Sequence, residues 1–469
     1  MKDKINLPAL NELSNGSRDF LFSVPSSGAL APALVNTENY RPDLWSFDSR
    51  GENRNDYDLW QIIQLHNLED RMKANRREEL TLRFQAQREI KSVLYGDLKD
   101  SNASVLKCMT TPFKEFVTLK RKAPYETILG SPVLDGLIHC HCVHVCPIDA
   151  PAIYVKARHK IRQLCYMAKK SDYELYFGTV TVRHSWNDSL ALLLQKFHEA
   201  MVCFWADRAI KNILKQIKGR VTSLEITFGF DAGFHPHFHI LFIGAKGLDC
   251  VEIGKTMESR LLAYYGKKGL SGKEGIAFDF KPCESVEDYL TKIPCELSLG
   301  NVTKHGHGEH YTFFQMAILA SQTKDKKRRA LLREKMKEYY YATKGRHAIQ
   351  FSKGLLSFFG LEDFNDTIRQ KPLDGCFPSV RGSDFCKLSH IERAELSYLV
   401  SLNKWGAVYE LLDKKGVQYW RSDENPYGDL VEMTEDEFNS FVSLSDPLRQ
   451  DTKAIQTDLV LDQKDSGEF

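Results

Sequence analysis

Apolar positions recur at mixed three- and four-residue spacings from Tyr57 to about Leu94, where Leu59, Ile62, Ile63, Leu65 and Leu68 lead into a charge-rich stretch. That pattern predicts one or two long surface helices. Residues 1 to about 55 show little periodicity and are rich in Asn, Ser, Pro and Gly, which predicts a loop-dominated arm. Leu175 to His184 carries the β-branched run Thr179-Val180-Thr181-Val182 and predicts a strand. From Ser189 to Lys218 a stripe of Leu190, Leu193, Leu194, Phe197, Met201 and Phe204 predicts one long helix. Two strands, Val221 to Phe228 and Pro236 to Ile243, flank a loop with hairpin chemistry, Gly229 to Phe234, so they should pair antiparallel. A helix over Val251 to Tyr265, a strand over Ile276 to Phe280 and a helix over Val286 to Ile293 complete the expected fold class, α+β, an antiparallel sheet with flanking helices. The organisation expected along the chain is an arm with helices (1–100), a cysteine- and histidine-rich zinc or DNA-binding module (101–170) and the α+β core (171–300). A basic helical segment (301–360) and a small separate helical domain with an unstructured acidic end from about Asp451 (361–469) follow.

The hairpin holds the most informative residues. Alternation along His235-Pro236-His237-Phe238-His239-Ile240 puts His237 and His239 on one face, with Cα atoms about 6.8 Å apart, and Phe238 and Ile240 on the other. On the preceding strand Leu224, Ile226 and Phe228 share a face, so Ser223, Glu225 and Thr227 share the opposite one. A register that joins the two apolar faces pairs positions whose numbers sum to an even value, because a one-residue slip turns every side chain over. Glu225 then lies on the histidine face. Two imidazoles and a carboxylate with open positions suit Mn²⁺, and Mg²⁺ where a phosphate completes the shell.

Composition narrows the class of protein without naming a partner. In 469 residues, 64 Lys and Arg nearly balance 62 Asp and Glu, and 42% apolar content is that of a globular chain, so binding of a polyanion must be read from local charge. The stretch Lys324 to Arg346 supplies it: Lys327, Arg328, Arg329, Lys344 and Arg346 stand among ten basic residues and three acidic ones, interleaved with Tyr339, Tyr340 and Tyr341, a pattern suited to a nucleic-acid path. Eleven cysteines and no secretory start point to free thiols or a metal rather than a disulfide framework. No apolar run reaches the ~18 residues of a membrane span, so a cytoplasmic location is expected.

The order of motifs resembles the plasmid and phage replication initiators of the bacterial rolling-circle type, within the superfamily of endonucleases marked by a histidine-hydrophobe-histidine motif. The resemblance is carried by Thr179 to Ser185 (with Arg183 in it), Leu224 to Gly229, His235 to Phe242, Tyr289-Leu290-Thr291-Lys292, and Ala342 to Leu355, which includes Lys353. It implies a nuclease core with Tyr289 as nucleophile, Lys292 one helical turn on, and metal held by Glu225, His237 and His239. The family also carries cysteines ahead of the core, which Cys108, Cys140 and Cys146-Pro147 match. Asp149 stands at the family's last cysteine position, so the fourth ligand of a structural zinc is open between Asp149, Cys142 and His144, and a turn must bring Cys140 and Cys146 together. For the closing step Glu284 is the candidate carboxylate, ahead of Glu287.

The activity so implied is site- and strand-specific nicking of an origin, giving a 5′-phosphotyrosine and a 3′-OH primer in a bacterial cytoplasm. Its partners would be single-stranded or hairpin origin DNA and the host polymerase and helicase, with Mg²⁺ or Mn²⁺ as catalytic ion and Zn²⁺ as structural ion. Three alternatives remain open from the residues: a relaxase or transposase of the same superfamily, a histidine-triad nucleotide hydrolase reading His235-x-His237-x-His239 as its motif, and a non-catalytic zinc-bearing DNA-binding protein.

Overall fold

A computed structural model describes residues 55–101, 103–122, 131–283, 303–305, 308–361 and 378–421, with side chains described from Arg76 onward. The chain divides into two units, Met1–Ala74 with Pro124–Leu129, and Asn75–Ala123 with Gly130–Phe469. Of the first only the backbone turns of helix α1 (Asn55–Leu98) are described, and everything below concerns the second.

In chain order the remaining elements are α2 (Ser104–Lys107), β1 (Phe116–Lys122), β2 (Ser131–Asp135), α3 (Asp149–Lys170), β3 (Glu174–Thr181), α4 (Leu190–Ala206), α5 (Arg208–Leu214), β4 (Ile217–Gly229), β5 (Gly233–Gly244), α6 (Cys250–Lys267) and β6 (Phe278–Pro282). They continue with β7 (Thr303–His305), β8 (Gly308–Tyr311), α7 (Phe313–Gln322), α8 (Lys326–Thr343), β9 (Ile349–Phe351), α9 (Leu355–Phe358), β10 (Ser379–Arg381), α10 (Gly382–Phe385), α11 (His390–Ser401), α12 (Trp405–Lys414) and β11 (Tyr419–Trp420). The class is α+β with antiparallel sheets. No helix among the described residues is long and apolar enough to cross a membrane.

The larger sheet runs β6-β3-β5-β4-β8-β7, with β9 also paired to β4. Its register is Glu225 opposite His237 and Ser223 opposite His239, the even sum that the apolar alternation requires. One face packs Val180, Ile240, Phe242 and Phe280 against Phe197 and Phe204 of α4 and Met257 and Leu261 of α6. The histidine face is a second core rather than a solvent face: Leu175, Phe177, Val221, Leu241 and Ile243 share a cluster with Ile161, Leu164 and Ala168 of α3. A sheet covered on both sides must be apolar on both sides, and the functional group sits where that second face gives out. Gly178 on β3 permits the close approach of Phe242, whose ring edge would lie 2.8 Å from an added Cβ. Gly178→Ala is expected to cost about 1–3 kcal/mol by overpacking. A chemical melt checks this, and an unchanged midpoint would mean that the ring moves aside freely.

Several sequence expectations are corrected. The helix expected from Ser189 to Lys218 breaks at Asp207, whose extended backbone and carboxylate cap a new helix by accepting from the N–H groups of Ala209 and Ile210. Lys218 belongs to β4. Helix α1 is no surface helix in its second half, because Phe84, Ala86, Ile90, Val93, Leu94 and Leu98 are buried. The region expected as a separate C-terminal domain contributes β10 and β11 to a four-stranded sheet, β11-β10-β1-β2, with Val380 opposite Val117. Likewise β8 and β9 of the expected basic helical segment are strands of the larger sheet. The arm, the helix from Val286 to Ile293 and the acidic end lie outside the described residues.

Candidate metal centres

Strand β3 ends at Thr181 opposite His237, so the histidine end of β5 runs past its neighbour on that side. Pro236, which has no N–H to leave unpaired, occupies the first position beyond. At this corner His237 Nε2 lies 2.7 Å and His239 Nε2 2.8 Å from the same oxygen, Glu225 Oε2. Neighbouring donors on an octahedral cation with bonds of ~2.1 Å sit roughly 3.0 Å apart, so the two contacts to Glu225 are near that spacing, and ligand atoms of all three residues lie within 4.8 Å of one another. Glu225 and His239 are buried while the His237 side chain keeps 13% of its exposure, which leaves one open side.

Burial opposes ionisation of Glu225, but the two imidazole partners outweigh it and hold the carboxyl below its ordinary range. It is therefore an anion at neutral pH. Phe177 stacks on His239 with ring centroids 5.5 Å apart, and Thr179 Oγ1 lies 3.5 Å from His239 Nδ1, so the ring is held from two sides.

Two further histidines stand beside this group. His184 Nε2 is hydrogen-bonded to His235 Nδ1, and His184 Nδ1 lies 3.2 Å from the Ala232 carbonyl. A carbonyl only accepts, so His184 carries its proton on Nδ1 and accepts at Nε2 from His235. Burial lowers both groups, His235 to about 3 with added repulsion from His237 and His184, and both rings are neutral. Sequence alternation finds His235 but not its pairing with His184, which comes from beyond the end of β3.

The second cluster lies where α1, α2 and the start of α3 meet. Sulfur and oxygen atoms of Cys108, Cys140, Cys146 and Asp149 all fall within 4.8 Å of one another. Cys108 and Cys146 sulfurs are 3.6 Å apart, near the roughly 3.8 Å that separates two thiolates on a tetrahedral zinc with 2.3 Å bonds, and far from a disulfide. The required turn is present: the Val145 and Cys146 amides both donate to the Cys142 carbonyl, and His141 takes a left-handed backbone conformation at φ 51°. Of the three candidates for a fourth ligand the geometry brings in Asp149, and neither Cys142 nor His144 joins the group.

Asp149 is positioned by His139 Nδ1 at 2.6 Å and the His141 N–H at 2.9 Å, which outweigh the opposing effect of burial and hold its carboxyl at about 2. Cys140 is pushed up by hydrogen bonds to Cys108, Cys142 and Cys146, so without a cation these sulfurs cannot all be thiolates. A counter-charge is built in. Lys91, buried on α1, donates to the Cys108 carbonyl at 2.6 Å and to Thr110 Oγ1 at 3.0 Å, with no carboxylate partner among the described residues. Burial lowers it to about 8 while the neighbouring thiols raise it. Three thiolates and a carboxylate around Zn²⁺ carry a net formal charge of about −2, the environment in which a buried ammonium belongs. Nothing in the sequence pattern marks Lys91 for this place.

The basic residues expected to meet nucleic acid divide into two sets. Lys327, Lys344, Lys353 and Arg183 are exposed, and Arg346 is half-buried. Arg328 instead lies 4.4 Å over the Phe230 ring, and Arg329 reaches towards Glu89. Arg333 and Lys337 are paired with Glu89 at 2.7 Å and Asp97 at 2.9 Å. The three tyrosines cannot form one platform, because a helix turns about 100° per residue: Tyr339 and Tyr340 are buried and Tyr341 alone is exposed. Tyr289, Lys292, Glu284 and Glu287 lie outside the described residues. Comparisons with protein-family models, with curated proteins and with solved structures find no match.

Proposed function

We propose that this chain nicks one strand of DNA to start replication of a plasmid or phage genome, and the observation that carries the reading is the convergence of His237 and His239 on Glu225 across a β-hairpin. Glu225, His237 and His239 would hold a divalent cation, which would supply polarisation of a phosphoryl oxygen. Glu225 and the two imidazoles fix where the scissile phosphate sits, and Phe177 and Thr179 keep His239 from turning. Tyr289, assigned by resemblance, is the nucleophile: its oxygen bonds to phosphorus, the bond to the 3′ oxygen breaks, and that oxygen leaves with a proton as the 3′-OH that primes the host polymerase. The cysteine cluster is a structural zinc site that ties α1 to the start of α3, and the host helicase supplies unwinding. A relaxase or transposase would use the same centre. A histidine nucleophile is disfavoured, because both Nε2 atoms point into Glu225 and not outward.

Supercoiled and single-stranded DNA carrying the origin should be cut at one position on one strand with Mn²⁺ or Mg²⁺, leaving protein on the 5′ end. EDTA should stop the cut, and Tyr289→Phe should abolish both cut and adduct. Undiminished cutting in EDTA would reject the metal centre, and an adduct formed by Tyr289→Phe would move the nucleophile elsewhere.

A further inference from the structure

A cavity of about 770 Å³ lies between the zinc-type loop, α3, the end of α8 and β9. That volume is in the range of small-ligand sites. Its walls include Val143, Ile153, Ala157, Ile349 and Phe351 together with Lys344 and Arg346, and no acidic residue lines it among the described residues. Gly345, at φ +76°, ends α8 in a left-handed turn that sets Lys344 and Arg346 on either side of the bend. Arg346 spends only its Nε on the Ala342 carbonyl, at 2.8 Å, and neither cation has a carboxylate partner among the described residues. A largely apolar slot with two positive charges in its lining is complementary to a flat apolar group bearing an anion.

The sheet register ties this cavity to the metal centre. Ile349 pairs with Ser223 and Phe351 with Val221, and Ser223 pairs in turn with His239. Residues directly opposite in a sheet project from the same face, so Ile349 and Phe351 stand on the face that carries Glu225, His237 and His239. Two strand spacings, about 10 Å, separate the Ile349 and His239 positions.

We infer that this cavity receives one unstacked base of the DNA strand, with the adjoining phosphate on Lys344 and Arg346, and thereby sets which phosphate reaches the metal centre. The inference rests on the strand-nicking reading above and adds the determinant of register. A base entering the slot meets the Phe351 ring and aliphatic walls, which reward any base face without reading its edge. The cations draw the strand in by its backbone.

Binding of a short origin single strand to the full chain, followed by fluorescence anisotropy without added Mn²⁺ or Mg²⁺ and without chelator, separates this from catalysis. Ala157→Phe, which fills the slot, and Arg346→Gln, which removes charge and leaves the apolar walls in place, are each expected to weaken binding about tenfold. Moving a single abasic nucleotide along the strand should weaken binding at one position only. With Mn²⁺, Ala157→Phe should also scatter the cut over neighbouring phosphates. A flat abasic scan, or unchanged affinity in both folded variants, would overturn the inference even if the wild type nicks. A localised abasic signature in a protein that never nicks would leave the cavity standing and remove the nicking reading.

Discussion

Glu225→Gln is expected to eliminate high-affinity Mn²⁺ binding and metal-dependent strand cleavage together, while the protein remains folded. The substitution keeps the shape of the side chain and removes the only anion of the three-donor group. It also places an amide where two imidazole nitrogens now converge at 2.7 and 2.8 Å. Loss of an outer-shell partner of a metal site costs about 10–100-fold in affinity, and loss of a ligand that carries the charge must cost more. Because Ile226 and Leu224 on either side of Glu225 are buried in the apolar cluster, the strand itself has reason to stay in place. Calorimetric titration with Mn²⁺ reads the binding, and the fraction of supercoiled DNA converted to open circle reads the cut. His239→Ala should match Glu225→Gln, whereas Thr179→Val, which removes only the hydroxyl beside His239 Nδ1, should show a partial loss. Wild-type affinity in Glu225→Gln would place the ion elsewhere and dissolve the site.

The hairpin was readable because its alternation is short and strict: once Glu225 and His237 carry opposite numbers in a two-stranded pairing, parity alone decides which residues share a face. The observed register obeys that rule in eleven residue pairs from Gly219 opposite Ile243 to Gly229 opposite Gly233, and it shifts only beyond them, at a bulge that sets Ile217 opposite Gly244. Other features could not be read because they depend on partners far along the chain. Asp207 looks like one more polar residue in a helical stripe until its backbone turns extended and its carboxylate caps the next helix. The strands Ser379–Arg381 and Tyr419–Trp420 are too short to show a period, and they are strands because β1 offers the first an edge and the first offers one to the second. Asp149 could be told from Cys142 and His144 only after the turn at His141 to Cys146 fixed which side chains face inward. The tyrosine run misled for the opposite reason: composition suggested a stacking surface, and helical rotation buried two of its three rings.

On the proposed zinc reading, chelation should unfold the part of the protein around the cysteine cluster before the rest. Protein purified in metal-free buffer is expected to carry about one zinc per chain. Stabilisation by a bound ligand grows with the logarithm of its concentration over the dissociation constant, about 4 kcal/mol at a thousandfold excess. Each kcal/mol moves the midpoint by about 2–4 °C in a domain of 150–250 residues and by less in a larger one, so chelation should lower melting by several degrees. Cys146→Ser should do the same without chelator, since Cys146 is fully buried beside Cys108 and accepts the Asp149 N–H at 3.4 Å. Lys91→Met distinguishes a metal cluster from a set of packed thiols. Burial penalises the Lys91 cation, so with no metal its removal should stabilise the fold, and more so below pH 8 than above it, because the penalty is present while the amine is charged and fades as it deprotonates. With zinc bound, the same cation offsets the excess negative charge of three thiolates and a carboxylate, and Lys91→Met should lower both zinc affinity and melting temperature. A protein that contains no zinc and is stabilised by Lys91→Met would show that the cysteines are plain core residues.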